Sequence, residues 1–231
     1  QGDGVWRSVD AGRTWTHIGL PESRSIPRIA VDPRDPEVVL VAALGDVFAP
    51  SEERGVYRST DGGKTWKRVL FAGAQAGANE VILDPSNPRI VYATTWRVQR
   101  GPYFFSSGGE GSGLWKSTDG GETWVSLSGN QGLPKATAEQ PTGIHTIAVS
   151  ASQPDNLYAM VEHEDGGLFR SRDAGKTWQL VNGDRALRQR AWYFSGVAAD
   201  PKDPESLWVQ NVRLHRSKDG GKSFTQVATP H

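Results

Sequence analysis

One eight-residue phrase is repeated five times along the chain and constrains its fold more than any other feature. It reads STDGGKTW at residues 59–66, and its variants end at Trp15, Trp124, Trp178 and Phe224. Successive copies are separated by 51, 58, 54 and 46 residues, counted between their aspartates, which are Asp10, Asp61, Asp119, Asp173 and Asp219. This period is too long for ankyrin or tetratricopeptide units and is typical of one four-stranded propeller blade per repeat.

Each copy has the residue types of a tight β-hairpin turn. The glycine that precedes the basic residue, Gly63 in the second copy, can adopt the positive φ that such a turn requires. The short carboxylate of Asp61 can accept hydrogen bonds from the backbone N–H groups of the turn. The closing Trp66 can fold back over the turn, because an indole ring buries roughly 150–250 Å². We therefore interpret the five aspartates as structural residues.

Two ligand-binding interpretations of the phrase fit its residues less well. A phosphate-binding P-loop requires a glycine five residues before the glycine that precedes the lysine, and those positions hold Arg58 and Arg170. A calcium loop requires several oxygen ligands at alternate positions, whereas each copy offers a single carboxylate. His145 and His163 are isolated histidines, which we expect to be structural or solvent-facing and not metal ligands. The sequence therefore predicts no metal site and no cofactor.

A second repeated phrase lies between the octets. Its four copies occupy residues 26–43, 79–95, 145–161 and 195–211. Each copy has a short apolar run, a turn containing proline in all four cases, and a second apolar run, which predicts two strands joined by a compact hairpin. Because the runs are almost continuously apolar, we expect both faces of these strands to be buried, as in the inner strands of a propeller blade.

Together the two phrases predict an all-β propeller of about four and a half blades. Residues 1–20 form a partial blade, and complete blades span residues 21–70, 71–127, 128–181 and 182–231. In such a meander the proline turns and the octets lie on one rim, the turn rim, while the remaining loops lie on the opposite rim, the loop rim. The outer flanks of the terminal units would expose apolar surface, so we expect the chain to belong to a larger propeller with further blades as its partners.

The loop rim is rich in aromatic and arginine side chains. Its segments are residues 45–54, 71–78, 97–112, 128–143, 162–167 and 182–194. Variable loops on a repetitive scaffold commonly bind ligands, and aromatic faces beside guanidinium groups suit sugars, carboxylates or peptide backbones. The predicted binding residues are Trp96, Arg97, Arg100, Tyr103, Phe104, Phe105, Arg188, Arg190, Trp192 and Tyr193. The alternative is that several of these rings only pack between blades.

The pattern S-x-D-x-G-x-T-W resembles the Asp-box of bacterial neuraminidase (BNR) repeats, which occur in sialidases, xyloglucanase-type glycoside hydrolases and the luminal domain of sortilin. Phrases such as GVYRSTDGGKTW and SGLWKSTDGGETW resemble those of bacterial sortilin-like proteins that are often labelled glycosyl hydrolases. The resemblance covers the whole chain. It implies a propeller fold, a periplasmic or extracellular location, and a glycan or peptide ligand.

An enzymatic function would require two carboxyl groups on either side of a glycosidic bond, roughly 5–10 Å apart. The acidic residues of the loop rim are Asp46, Glu52, Glu53, Glu110, Glu139, Glu162, Glu164, Asp165 and Asp184. No pair among them is distinguished by a motif, so two hypotheses stay open. We favour a non-catalytic propeller segment that binds glycan or peptide. The alternative is part of a xyloglucanase-like or sialidase-like hydrolase, with catalytic carboxylates on its loops or on blades outside this chain.

Composition excludes several other classes of function. The 26 basic and 26 acidic residues give a formal net charge of zero, which argues against nucleic-acid binding. The longest apolar run, residues 38–44, is far too short for a membrane span. The chain contains no cysteine, which excludes disulfides and thiol chemistry.

Overall fold

The computed structural model describes residues 2–193 and 195–228. Its strands, in chain order, are β1 (Trp6–Arg7), β2 (Thr16–His17), β3 (Arg28–Val31), β4 (Val39–Ala43), β5 (Gly55–Ser59), β6 (Lys67–Leu70), β7 (Ala76–Leu83), β8 (Val91–Arg100), β9 (Phe105–Ser107), β10 (Gly113–Ser117), β11 (Val125–Ser126), β12 (His145–Val149), β13 (Leu157–Val161), β14 (Gly167–Ser171), β15 (Gln179–Asn182), β16 (Gly196–Ala199), β17 (Leu207–Gln210), β18 (Leu214–Ser217) and β19 (Thr225–Gln226). Two short 3₁₀ helices, Pro21–Ser23 and Arg185–Leu187, are also present.

The strands form an all-β propeller arc of consecutive antiparallel meanders, which confirms the predicted fold class. Strands β1 and β2 pair as a hairpin, and they are followed by the four blades β3–β6, β7–β8–β10–β11, β12–β15 and β16–β19. Strand β9 adds a short extension to β8. No helix within the described ranges has the length and apolar character needed to cross a membrane.

The core lies between neighbouring blades, where apolar side chains of adjacent sheets meet. Every residue of β4 and of β13 is buried, as predicted for inner strands. The prediction is wrong for β3, where Ile29 and Val31 are 45% and 49% exposed, and for the last blade, where Ala198 of β16 and Gln210 of β17 are exposed. A strand is buried on both faces only when a sheet covers each face. The β1–β2 hairpin, through Val5, packs on a cluster formed by β4 and β5 and leaves these two β3 side chains uncovered.

Each octet folds into the same hydrogen-bonded turn. In the second copy, the Ser59 hydroxyl donates to Asp61 Oδ1 over 2.8 Å and accepts from the Gly63 N–H over 2.8 Å. Thr65 donates to Asp61 twice, from its backbone N–H over 2.9 Å and from its hydroxyl over 2.7 Å. The corresponding Ser–Asp and Asp–Thr or Asp–Ser bonds recur in all five copies. The predicted structural role of the aspartate therefore has a direct geometric basis.

These bonds stabilise the ionised carboxylate. The hydroxyl and N–H of Thr65, together with the Ser59 hydroxyl, lower the pKa of Asp61 from 3.8 to about 2. A group whose pKa is lowered by folding contributes stability above its unfolded pKa, and that contribution is lost as the pH falls through the folded value. The Asp61 contribution is therefore complete above about pH 4 and is lost on acidification toward pH 2.

The closing tryptophan varies more than the turn itself. Trp15, Trp124 and Trp178 fold back and donate their indole N–H to the glycine carbonyl three residues earlier, each over 3.1 Å. Trp178 is 6% exposed, whereas Trp15 is 58% exposed. The Trp66 ring also lies against the glycine of its own turn, Gly63, but its indole N–H donates to the Ile18 carbonyl of the preceding hairpin. The ring thus covers its turn in each of the four tryptophan copies, while its exposure and the acceptor of its N–H differ from copy to copy.

In the first four units, a basic residue on the strand that precedes the octet ties that unit to the next one. Arg7, Arg58 and Lys116 donate to the carbonyl oxygens of residues 62, 120 and 174, over 2.8–3.0 Å. Arg170 forms a two-pronged ion pair with Glu205 of the following blade. These contacts hold the turn rim together while the loop rim remains free to vary.

We expect Ser59→Ala to destabilise the protein by about 1–3 kcal/mol, because it leaves the buried Gly63 N–H without its acceptor. The melting temperature should fall by roughly 2–4 °C for each kcal/mol. Ser106→Ala is the control, since the Ser106 hydroxyl has no hydrogen-bond partner among the described residues. An equal loss in both variants, measured by thermal unfolding, would contradict the assigned role of Ser59.

We expect Ala174→Gly to stabilise the protein by up to about 1 kcal/mol. Ala174 has a φ of 57°, and the equivalent positions Gly62, Gly120 and Gly220 have φ values of 70°, 80° and 73°. A left-handed conformation disfavours any residue with a Cβ atom, and glycine removes that strain. Ala199→Gly in strand β16 is the matched control and should be destabilising. A lower urea midpoint for Ala174→Gly than for the unmodified chain would refute this account.

Candidate functional site

A hairpin extension of the second complete blade forms one side of the candidate site. Strand β8 continues to Arg100 and pairs with β9, with Val98 opposite Ser107 and Arg100 opposite Phe105. The predicted loop 97–112 is therefore wrong in part, because its first four residues are strand. The backbone N–H of Arg100 also donates to the Val47 carbonyl over 2.7 Å, which fixes the hairpin against the loop of the preceding blade.

Four aromatic rings from two loop-rim segments form a continuous row. Phe105 lies between Trp96, with centroids 6.2 Å apart, and Trp192, with centroids 4.8 Å apart. Tyr193 extends the row, its ring 5.8 Å from that of Trp192. Trp96 is buried and donates its indole N–H to the Ser107 hydroxyl over 2.9 Å, whereas the other three rings are exposed along the rim. The tertiary structure thus joins residues that are almost 90 positions apart.

We call the depression beside this row the aromatic cleft. Its volume is about 180 Å³, and its lining consists of Val47, Trp96, Val98, Arg100, Phe105, Trp192 and Tyr193. Arg100 supplies the only charge among these described lining residues. Trp96 and Tyr193 also line a larger central cavity of about 500 Å³. A ligand in the aromatic cleft would therefore lie next to the central cavity.

The central cavity contains an ion pair on the first strands of two blades. Arg28 Nη2 lies 3.1 Å from Glu80 Oε1, and Glu80 Oε2 accepts the Ile147 N–H over 2.9 Å. Burial raises the pKa of Glu80, although Arg28 and the Ile147 N–H act in the opposite direction. Both carboxylate oxygens of Glu80 are thus engaged, one by the Arg28 guanidinium and the other by the Ile147 N–H. Glu80 is not among the acidic residues expected at the site from the sequence, where its one signal is a single acidic residue within an apolar strand.

Two of the other predicted binding residues, Arg97 and Arg188, form hydrogen bonds within the protein. Arg97 donates to Gln75 Oε1 over 2.9 Å and to the Gly108 carbonyl over 3.1 Å, so it stabilises the base of the hairpin. Arg188 donates to the carbonyl oxygens of His163 and Glu164, over 3.0 and 3.3 Å, and joins two loops. Both guanidinium groups are thereby engaged with the protein itself.

The remaining predicted residues lie outside the lining of the cleft. Tyr103 is 100% exposed and Phe104 is 53% exposed, at the tip of the β8–β9 hairpin. Arg190 is exposed, with a φ of 51°. Phe194, the last residue of its predicted loop, lies outside the described residues. The structure thus brings together five of the ten predicted binding residues, Trp96, Arg100, Phe105, Trp192 and Tyr193.

Several rim carboxylates hold the loops in place. Glu162 accepts from the Ser107 hydroxyl over 2.7 Å and from the Ile144 N–H over 2.8 Å. Asp184 caps a 3₁₀ helix by accepting from the Ala186 N–H over 2.8 Å. Further acceptors of internal hydrogen bonds are Asp46, Glu53 and Glu164. Their hydrogen bonds give these groups structural roles.

Buried Arg54 organises the loop next to the cleft and was not anticipated from the sequence. Only 1% of the residue is exposed, and its guanidinium donates to the Gln75 carbonyl over 2.8 Å and to those of Asp46, Ala49 and Val98. Burial lowers its pKa. These four carbonyl oxygens belong to three different segments, so Arg54 positions the wall that contains Val47.

Comparison with known protein families gives a match over most of the chain. The model of the Sortilin-Vps10 family, described as "Sortilin, neurotensin receptor 3", matches residues 3–153, and the BNR/Asp-box repeat model matches residues 169–180. The chain belongs to the Sortilin-Vps10 family. The two matches confirm the resemblance to sortilin-like and BNR-repeat proteins that the octets indicated.

Curated relatives of this Sortilin-Vps10 chain include xyloglucanases. It is 27% identical to a xyloglucanase of Paenibacillus sp over 214 residues, which cover 84% of this chain and 19% of the relative. It is 28% identical to the xyloglucanase Xgh74A of Acetivibrio thermocellus over 209 residues, covering 78% and 23%. A xyloglucanase of Hypocrea jecorina is 28% identical over 255 residues, covering 96% and 29%. The chain thus spans less than a third of these relatives.

Solved structures support the fold. The GH74 xyloglucanase from Xanthomonas campestris superposes with a TM-score of 0.71 at 20% identity, over 95% of this chain and 34% of that structure. A structure described as YCF48 bound to D1 peptide superposes with a TM-score of 0.52 at 18% identity, over 96% and 60%. At these identities the similarity shows a shared propeller architecture.

His145, at the start of β12, should make the fold sensitive to mild acid. Burial lowers its pKa from 6.5 to about 4, and its Nδ1 lies 2.9 Å from the Gly143 carbonyl. The neutral ring is therefore favoured in the folded state, so its contribution is complete above about pH 6.5 and is lost as the pH falls to 4. Between these two pH values the free energy of unfolding falls by about 3 kcal/mol through this histidine.

We expect His145→Asn to be less stable at neutral pH but to lose this part of the pH dependence. The test is urea unfolding at pH 7, 5.5 and 4, with His17→Asn as the control because His17 is exposed. If His145→Asn and the unmodified chain lost equal stability between pH 7 and 4, the proposed titration of His145 would be wrong.

Proposed function

We propose that this chain forms a polysaccharide-binding part of a glycoside hydrolase, in which a β-glucan of the xyloglucan type lies across the aromatic cleft. The observation that carries the proposal is the row formed by Trp96, Phe105, Trp192 and Tyr193. The xyloglucanase relatives favour a glycan over other ligands of an aromatic surface. They match this chain over only part of their length, so the function of the whole protein is included in the proposal.

The row has the physical properties that a sugar chain requires. Exposed rings offer flat apolar faces for the C–H groups of pyranose rings, and burial of aromatic surface supplies much of the energy of an interface. Neighbouring centroids are 4.8–6.2 Å apart, so the apolar surface is nearly continuous. Arg100, among the residues lining the cleft, provides hydrogen-bond donors for sugar hydroxyls.

In this proposal, Glu80 is the candidate general acid that this chain contributes. It lines the central cavity beside the cleft, and burial raises its pKa. A glycoside hydrolase requires a second carboxyl group on the opposite side of the scissile bond. That group would come from parts of the protein outside this chain, since the xyloglucanase relatives are more than three times its length.

A second candidate function is non-catalytic binding of a glycan or peptide. It is favoured by the internal hydrogen bonds of the rim carboxylates Asp46, Glu53, Glu162, Glu164 and Asp184. Carboxylates that hold loops in place are poorly suited to proton transfer. Glu80→Gln separates the two functions, because it should abolish hydrolysis by the complete protein and leave glycan binding by this chain intact.

The binding test compares two exposed tryptophans on opposite rims. We expect Trp192→Ala to weaken binding of a xyloglucan oligosaccharide about tenfold, which corresponds to about 1.4 kcal/mol. Trp15→Ala on the turn rim is the matched control and should bind normally. Affinities are measured by isothermal titration calorimetry, and melting temperatures verify that both variants fold. An unchanged affinity for Trp192→Ala, or an equal loss in both variants, would refute the proposed site.

A further inference from the structure

The guanidinium of Arg100 differs from those of its neighbours on the loop rim. Arg54, Arg97 and Arg188 donate to protein oxygens, as described above. The side chain of Arg100 has no hydrogen bond or ion pair with any described residue, although it is exposed on the wall of the aromatic cleft. A guanidinium in this position has all of its donors available to a ligand.

The backbone of Arg100 is nevertheless held firmly. Its N–H donates to the Val47 carbonyl over 2.7 Å, and its strand pairs with β9 opposite Phe105. Arg54 in turn fixes the segment that contains Val47 through the carbonyl oxygens on either side, those of Asp46 and Ala49. A side chain on such a supported backbone loses less entropy on binding than one on a free loop.

The electrostatics of the cleft favour an anion. Its described lining contains no acidic side chain, and apart from Arg100 it is aliphatic or aromatic. The nearby carboxylate of Glu162 already accepts bonds from Ser107 and from the Ile144 N–H. A cation among apolar walls attracts anions more strongly than the same cation in open solvent, because the low-dielectric walls focus its field. A neutral sugar that stacks on the aromatic row does not need the positive charge of Arg100.

We infer that the aromatic cleft selects a sugar residue that carries a carboxylate, such as a uronic acid, with its ring on the aromatic row and its carboxylate on Arg100. The planar fork of a guanidinium matches the two oxygens of a carboxylate. This inference rests on the proposed function, because it names the class of glycan that the same site prefers. A free peptide carboxyl terminus has the same charge, and it is therefore one arm of the test.

The test uses two glycans that differ only in the group at C6 of the glucose units. A cello-oligosaccharide and its C6-oxidised form, in which glucose units become glucuronate, are titrated into the chain by calorimetry at low salt. We expect the acidic glycan to bind roughly fivefold more tightly. This factor is the upper end of what a partly exposed ion pair contributes to affinity. Because mobile ions screen an exposed charge, the preference should shrink markedly at 0.5 M salt. Arg100→Gln should remove the preference, so that the acidic and the neutral glycan bind this variant with equal affinity.

Arg13→Gln is the matched control, since it removes the same charge from an exposed site on the turn rim. Its preference for the acidic glycan should equal that of the unmodified chain. Equal binding of the two glycans by the unmodified chain, or a preference that survives in Arg100→Gln, would overturn the inference and leave the proposed glycan site intact. Binding of neither glycan would overturn the proposed function as well. A hexapeptide with a free carboxyl terminus that binds more tightly than the acidic glycan would identify a peptide site instead.

Discussion

The hydrogen bonds between a serine, an aspartate and a threonine or serine within each octet are the interaction on which the rest of the structure depends. A hairpin tip leaves backbone N–H groups without strand partners, and the octet satisfies them from its own side chains, as Ser59 and Asp61 do in the second copy. The turn therefore closes in the same way whatever packs around it. Because all five octets form the same turn, the chain reverses direction on the same rim in every repeat.

A uniform turn rim leaves the opposite rim free to carry function. Basic residues such as Arg58 and Lys116 tie each turn to the next, so neighbouring blades are joined at this rim whatever the loop sequences are. Those loops are organised by polar groups that bond to several segments, of which the buried Arg54 and the half-buried Glu162 are the clearest examples. The aromatic cleft forms where one such loop, a hairpin extension and a 3₁₀-containing segment converge.

The limits of sequence reasoning appear at particular residues. Trp66 and Trp178 stand at the same position of the same phrase, yet one donates to the preceding hairpin and the other to its own turn. Ile29 lies on a first strand of the kind predicted to be buried, but the sheet needed to cover it is not present among the described residues. Arg97 and Arg100 are separated by two residues on one strand, and only the former is engaged by protein acceptors. In each case the outcome depends on a neighbour that is distant in the sequence.

By itself the sequence determined the repeat, the turn chemistry and the division into two rims, because these follow from local interactions within eight residues and from the alternation of a meander. It also indicated the loop segments that contain the candidate site. Only the tertiary structure decided which side chains meet there. It placed Trp192 against Phe105, left Arg100 without a partner among the described residues, and set Glu80 beside Arg28 in the central cavity. Such contacts join separate blades, and no local pattern of residues encodes the distance between them.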